Sequence, residues 1–199
     1  MTTTCTPRTK SSRRRPDLTR PDFRLSDLSE TGRLQFFFHS PRSTYPIRDV
    51  TNDQRQGHKT EPHIENNTEN YISECYQSNN IVPFLCSNEK FLFLFTTCKN
   101  QDLGAKYYDR RFIVGYIIKE RALQRPDEHG IHWAVQGETK LVSFHDSFPL
   151  ERLVGSVAPH IRMRTLTEHE TQTILDHFRG SRNIIAACKR EIKRLEVQV

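Results

Sequence analysis

The sequence predicts an α+β protein in which a small, mostly antiparallel β-structure is followed by two helices. Short β-rich runs follow one another from residue 81 to residue 146, and turn-forming residues separate them. The two most apolar runs have few outward polar residues, so both faces should be covered, as in a barrel or a sheet backed by helices. Helical periodicity begins only after residue 165.

The first segment, residues 1–33, is predicted to be a flexible, disordered basic arm, because Thr, Ser, Arg and Pro dominate it. It contains no apolar region of the kind that a signal peptide carries. Its run Arg13-Arg14-Arg15 is a candidate phosphate-binding site, because guanidinium groups match the geometry of phosphate oxygens. A solubilising tail is the alternative, since acidic residues are interspersed among the basic ones.

The predicted β domain covers residues 34–165 and includes a polar insertion at residues 48–71. A loop of this length is either an exposed insertion or a segment that orders on a ligand. A short helix over residues 70–77 is one option beside it. The predicted strands are LQFFFHS (34–40), IVPFLC (81–86), KFLFLFTTC (90–98), RFIVGYIIKE (111–120), IHWAVQ (131–136) and KLVSFHD (140–146).

The segment RRFIVGYIIKE places a glycine in the middle of a dense apolar strand. Glycine weakens a strand interior unless the chain bends there, as at a barrel corner, or a ligand approaches the backbone. Gly115 therefore marks a bend, a barrel corner or a ligand-facing position. The charges at the start of the segment, Arg110 and Arg111, mark either the rim of a site or only the solvated beginning of a strand.

Residues 166–199 are predicted to form a C-terminal helical segment. Thr165 and Glu168 have the spacing of a capping box, which predicts a helix over residues 168–178 that ends at Gly180. A second helix is predicted over residues 182–196. One side of it is apolar, through Ile185, Cys188, Ile192 and Leu195, and the opposite side is basic, through Lys189, Arg190, Lys193 and Arg194.

Charge and cysteine content restrict the class of protein. Lys plus Arg (30) exceeds Asp plus Glu (24), and this formal charge of +6 suits a polyanionic partner such as DNA or RNA. The five cysteines form no CxxC pair, which fits reduced thiols and a cytoplasmic protein better than a disulfide framework. No stretch of the sequence is apolar for long enough to span a bilayer, so we expect no membrane association.

The succession KFLFLFTTCK, RRFIVGYIIKE and HWAVQGETKLVSF resembles the middle strands of PUA-like barrels. This superfamily includes the EVE, ASCH and YTH modules and domains associated with nucleotide modification. The resemblance covers at most residues 81–150, and its motif is Val114-Gly115-Tyr116-Ile117. The sequence lacks the N-terminal signature of EVE modules, and a single tryptophan, Trp133, cannot supply the cage of YTH modules.

The resemblance implies a pocket at the barrel mouth that takes one base, often a modified one. Such a pocket needs an aromatic face, polar groups for the base edge, and cations for the flanking phosphates. Trp133, Tyr107 and Tyr108 are candidates for stacking, unless Trp133 belongs to the core. The candidates for the base edge are His132 and Gln136, and those for phosphate are Lys106, Arg110 and Arg111.

We therefore predict a non-catalytic nucleic-acid-binding module without cofactor or bound metal. The nucleophile and nucleotide-binding patterns GxSxG, GxGxxG and the P-loop are absent from the sequence. One alternative is an enzyme that processes nucleotides or nucleic acid through His132, His145 and Asp146. Another is a protein-interaction adaptor that docks on a partner, or pairs with itself, through residues 181–199.

Overall fold

The computed structural model describes residues 23–47, 63–64, 74–77, 81–127, 130–154 and 164–197. Its strands are β1 (Ser29–Phe36), β2 (His63–Ile64), β3 (Glu74–Gln77), β4 (Glu89–Thr97), β5 (Arg111–Ile118), β6 (Arg121–Asp127), β7 (Gly130–Gly137), β8 (Thr139–Leu141), β9 (Phe148–Pro149) and β10 (Thr165–Leu166). Its α-helices are α1 (Val82–Leu85), α2 (Glu151–Val154), α3 (Glu168–Phe178) and α4 (Ile185–Val197). The predicted α+β class is confirmed.

The larger sheet has the strand order β10-β1-β4-β5-β8, and β9 pairs with β5 beside β8. Its inner strands β1 and β4 are parallel, and the other pairs are antiparallel. Among the described strands no ladder joins β10 to β8 or β9, so the sheet is open at both edges. The closed barrel that the sequence resemblance implies is therefore not found in the described part of the chain.

A long, bent hairpin connects the larger sheet to a second one. Its first arm is β5 followed by β6, and its second arm is β7 followed by β8. The proximal half, β5 with β8, belongs to the larger sheet, whereas β6 and β7 form the second sheet in the order β2-β3-β7-β6. At the bend, the amide of Lys119 donates to a strand outside the hairpin. Its acceptor is the carbonyl of Lys90 on β4, at 2.8 Å.

The central strands β4 and β5 are apolar on both faces, as their sequences predict. On β4, Leu92 and Leu94 enter one core, and Phe91, Phe93 and Phe95 enter the other. The first core is closed by α1 and α4, and the second core is closed by α3 through Ile174 and Phe178. Two covered faces explain why these strands lack the polar alternation of a half-exposed sheet.

Gly115 is required because the backbone of β8 approaches β5 closely at this position. A Cβ atom on Gly115 would lie 2.1 Å from the carbonyl oxygen of Lys140. The register between β4 and β5 also shifts here, between Leu94 and Phe95, as expected for a β-bulge. A bulge bends the strand, so the structure selects the bend among the alternatives that the sequence left open, and adds the close approach of β8.

The two long helices lie where the sequence predicts them, with one correction at the start of α3. The capping box is formed by Thr167 and Glu170, not by Thr165 and Glu168. The Thr167 hydroxyl accepts from the amide of Glu170 at 3.2 Å, and a Glu170 carboxylate oxygen accepts from the amide of Thr167 at 2.9 Å. Thr165 instead pairs with Arg33 as part of β10, which removes it from the helix cap.

Several other boundaries differ from the sequence prediction. The run IVPFLC forms the short helix α1 rather than a strand, and its proline stands in the first turn, where a missing amide is tolerated. Strand β3 replaces the helix considered over residues 70–77. Strand β6 is not among the predicted strands, and its last three residues, RPD, have turn-forming character. Strand β1 begins at Ser29, inside the segment predicted as a tail.

Candidate functional site

Most of the predicted phosphate and aromatic residues meet at one end of the larger sheet, where β4 ends and β5 begins. Two segments form this region, residues 98–111 and residues 143–152, and we call it the strand-end surface. They are joined because the amide of Leu150 donates to the carbonyl of Arg111 at 3.0 Å. Arg110 adds an ion pair across the same junction, with its Nη2 2.6 Å from Oε2 of Glu151.

The loop between β4 and β5 is held by its own backbone hydrogen bonds. The amides of Tyr107 and Tyr108 both donate to the carbonyl of Gly104 at 3.0 Å, and the amide of Asp109 donates to the carbonyl of Cys98 at 2.8 Å. Gly104 has a φ of 80° and Asp109 a φ of 58°, a region that these two residue types tolerate better than most. The loop therefore presents its side chains from a fixed backbone.

The two neighbouring tyrosines point in different directions. Tyr107 is only 6% exposed, and its ring packs edge-on against His145 and tilted against Phe112. Its hydroxyl lies 2.9 Å from Nδ1 of His145, and the Lys106 ammonium group lies 5.1 Å from the centre of its ring. Tyr108 is 39% exposed and accepts a bond from the Gln101 side chain at 3.3 Å. Tyr108 therefore offers an accessible aromatic face, and Tyr107 supports the surface from beneath.

The charges of the strand-end surface are mixed. Lys99 forms an ion pair with Asp109, and Arg110 forms one with Glu151. The Lys99 ammonium group lowers the pKa of Asp109, and Glu151 raises the pKa of Arg110. Exposed ion pairs of this kind contribute little to stability. The side chains of Lys106, Arg111 and Arg152 are also exposed.

Three of the predicted ligand residues lie in the distal half of the bent hairpin. Gln136 lies beyond the far end of β5, because its carbonyl accepts from the amide of Glu120 at 3.0 Å. Arg111 is the first residue of β5. At about 3.3 Å per residue, the length of β5 separates Arg111 from Gln136 by roughly 20 Å. Trp133 is half-buried and packs against the first core. His132 pairs with Arg125 through the backbone, and its side chain lies outside the description, as do residues Arg13–Arg15.

The predicted residues thus form two groups rather than one. Tyr107, Tyr108, Lys106, Arg110 and Arg111 come together on the strand-end surface, and Trp133, His132 and Gln136 belong to the distal hairpin. Comparisons of this chain with protein-family models, with curated proteins and with solved structures found no match to any of them. The resemblance to PUA-like modules consequently remains a prediction.

The catalytic alternative needs His145, Asp146 and His132 to act together. His145 and Asp146, however, contact different partners. The Asp146 carboxylate accepts from the Ser143 hydroxyl at 2.9 Å, whereas His145 contacts Tyr107. His132 belongs to β7 in the distal hairpin. In the part of the chain that the structure describes, no three His, Cys, Asp or Glu side chains group as metal ligands, and no helix is long and apolar enough to cross a membrane.

The sequence prediction missed a buried charge network at the other end of β5. Lys119 is fully buried, and its ammonium group donates to the carbonyls of Phe84 at 2.8 Å and Ser87 at 2.7 Å. Beside it, Glu89 accepts two hydrogen bonds from Arg33, at 2.7 and 3.1 Å. Burial lowers the pKa of Lys119 to about 8, although the charge of Glu89 acts in the opposite direction. The sequence did contain a signal for this network, because Lys119 directly follows the apolar run of β5.

A second buried ionisable residue, His39, anchors the loop that follows β1. Its Nδ1 accepts from the amide of Lys99 at 2.9 Å, so its Nε2 carries the proton and donates to the carbonyl of Tyr45 at 2.9 Å. Burial lowers the pKa of His39 to about 4, and the bond to Tyr45 only partly offsets this effect. His39 is therefore neutral at pH 7 and connects residues 40–47 to the strand-end surface.

The apolar stripe of α4 faces the core of its own chain. Cys188, Ile192 and Leu195 are buried in the first core, and the half-buried Ile185 packs against it. Burial raises the pKa of the Cys188 thiol to about 12, so this cysteine is a packing residue at neutral pH. Docking or self-association through this stripe would require α4 to leave the core, whereas its basic face is accessible.

Proposed function

We propose that this protein is a non-catalytic nucleic-acid-binding module and that the strand-end surface contacts the nucleic acid. The observation that carries the proposal is the setting of Tyr108. Its exposed ring stands on a loop held by backbone hydrogen bonds, and the exposed side chains of Lys106 and Arg111 are close to it in sequence. Proteins that bind single strands combine an aromatic platform for a base with cations for the adjoining phosphates.

The mixed charge of the surface has a consequence for affinity. Because Asp109 and Glu151 already pair with two of its cations, the electrostatic contribution of this surface alone is modest and sensitive to salt. Stacking on Tyr108 should then supply a large share of the binding free energy, on the order of 1–3 kcal/mol for one base. We place recognition in single-stranded or unpaired segments, where a base is free to stack.

Recognition of a modified base and a PUA-like arrangement of strands are the finer parts of the proposal. Both rest on the sequence resemblance through Val114-Gly115-Tyr116-Ile117. The antiparallel succession β4-β5-β8 is compatible with such an arrangement. In this proposal the distal group, Trp133, His132 and Gln136, does not share a pocket with Tyr108 and serves a different part of a bound strand. A cytoplasmic location is proposed with it, on the basis of the unpaired cysteines.

Binding of the full-length protein to short oligonucleotides tests this function. The set contains single- and double-stranded DNA and RNA, with and without modified bases, measured across a salt series. We expect Tyr108→Ala to weaken single-strand binding roughly tenfold or more, in line with the loss of one stacked base. The matched control is Tyr108→Phe, which keeps the ring and should retain affinity.

Two results would contradict the proposal. One is the absence of binding to every oligonucleotide at low salt. The other is equal affinity of the wild-type protein, Tyr108→Ala and Tyr108→Phe, which would move the contact away from this surface. Lys106→Gln provides a separate check, since the loss of one phosphate contact should lower the slope of log affinity against log salt by about 1.

A further inference from the structure

The outer face of α4 is an exposed, basic surface that the strand-end surface does not include. With about 3.6 residues per turn, Arg190, Lys193 and Arg194 share one side of the helix. They lie opposite the buried stripe of Cys188, Ile192 and Leu195. All three basic residues are exposed, and we call this set the α4 basic face.

Among the side chains of α4 that the structure describes, the acidic neighbour of this face is Glu191, which is largely covered and pairs with Arg194. The Glu191 side chain is only 14% exposed and accepts from the Ser43 hydroxyl at 3.1 Å. It also accepts two hydrogen bonds from Arg194, at 2.7 and 2.8 Å. Arg194 and Ser43 lower the pKa of Glu191 in spite of its partial burial, so it remains ionised at neutral pH. Arg190 and Lys193 have no ion-pair partner among the described residues.

The α4 basic face is connected to the strand-end surface through residues 40–47. Ser43 joins this loop to the middle of α4 through Glu191. The same loop reaches the β4 end, because the Asn100 side chain donates to the carbonyl of Pro41 at 3.1 Å. The two surfaces therefore flank one loop.

We propose that the α4 basic face binds the phosphate backbone of the nucleic acid whose base stacks on Tyr108. This inference rests on the proposed function and adds the site of the main electrostatic contact. Two other occupants of basic amphipathic helices fit less well, because both a bilayer and a helix-binding groove take the apolar face. Here the apolar face is buried in the first core, which leaves the cations alone for recognition.

The test compares two double variants of the full-length protein that lose the same charge. The first, Arg190→Gln with Lys193→Gln, removes cations from the α4 basic face. The matched control, Arg24→Gln with Arg179→Gln, removes exposed cations that belong to neither proposed binding surface. The probes are single-stranded and double-stranded DNA and RNA, titrated across a salt series, and thermal unfolding verifies that both variants fold.

We expect the α4 variant to lower the slope of log affinity against log salt by about 2, for all sequences alike, and the control to leave it unchanged. Equal slopes for both variants, while the wild-type protein binds, would overturn the α4 inference and leave the proposed function standing. Absence of wild-type binding would instead refute the proposed function. Binding to anionic lipid vesicles or to an acidic peptide, without binding to oligonucleotides, would overturn both.

Discussion

Lys119 shows how one buried amine couples the stability of this fold to pH. Its pKa is about 8 in the folded protein, below the ordinary lysine value of 10.5, because burial disfavours the charged form. Below pH 8 the folded state therefore holds a charge that the unfolded state solvates better. As the pH rises from 8 to 10.5, the folded state loses this proton first, and the penalty disappears.

A comparison of the wild-type protein with Lys119→Met measures this effect, and Cys86→Ser in both proteins removes a thiol whose pKa the charge of Lys119 lowers. We expect the free energy of unfolding of the wild type, relative to the variant, to rise by on the order of 2–3 kcal/mol between pH 8 and pH 10.5. Urea unfolding across that range measures it. Parallel curves for the two proteins would show that Lys119 titrates normally.

At the scale of single elements, the sequence offers two possible N-cap residues for α3, and the structure uses one of them. Thr167 occupies the N-cap and Glu170 completes the capping box, whereas Thr165 lies in β10. The spacing Thr-x-x-Glu occurs twice in the sequence TLTEHE, so spacing alone could not choose between the two. The pairing of β10 with β1 decides the choice, because it holds Thr165 in a strand.

We expect Thr167→Ala to lower the free energy of unfolding by about 1 kcal/mol through loss of the cap. Thr165→Ala is the matched control, because the same chemical change there removes only a weak contact with Arg33 at 3.4 Å. Thermal or denaturant unfolding of both variants provides the measurement. A larger loss for Thr165→Ala would restore the cap position predicted from the sequence.

At the scale of the whole molecule, His39 links the acid stability of the fold to the loop that joins its two proposed binding surfaces. The folded pKa of His39, about 4, lies below its ordinary value of 6.5, because burial excludes the charged ring. Between these pH values the unfolded chain binds a proton that the folded protein does not. Stability is therefore lost as the pH falls from 6.5 towards 4.

We expect the stability of His39→Gln to fall less steeply between pH 6.5 and pH 4, because glutamine has no proton to gain. Between pH 6.5 and pH 4, we expect the wild-type protein to lose on the order of 2–3 kcal/mol more than the variant. Denaturant unfolding at several pH values measures the difference, and the carboxylates common to both proteins cancel. An equal loss of unfolding free energy in the two proteins over this pH range would mean that His39 becomes protonated in the folded protein.

Local patterns were sufficient for the predictions that depend on neighbours along the chain. The strands β4 and β5 and the helix α3 were predicted within one or two residues, because their periodicity and apolar content leave few alternatives. Local patterns failed at IVPFLC, which becomes α1, and at β6, whose polar sequence forms a strand only because β7 pairs with it. Tyr107, Tyr108 and Arg111 lie on one surface, as their closeness in sequence predicts, and their role in binding stays a prediction.

The sequence by itself determined the α+β class, the two covered faces of the central strands, and the amphipathic form of α4. The tertiary structure alone decided that the larger sheet stays open among the described strands, that Gln136 lies at the far end of β5 from Arg111, and that Lys119 is buried. The physical reason is distance along the chain. Periodicity records which face of an element is apolar, but the partner of that face, and the charges brought near it, depend on residues that are remote in sequence.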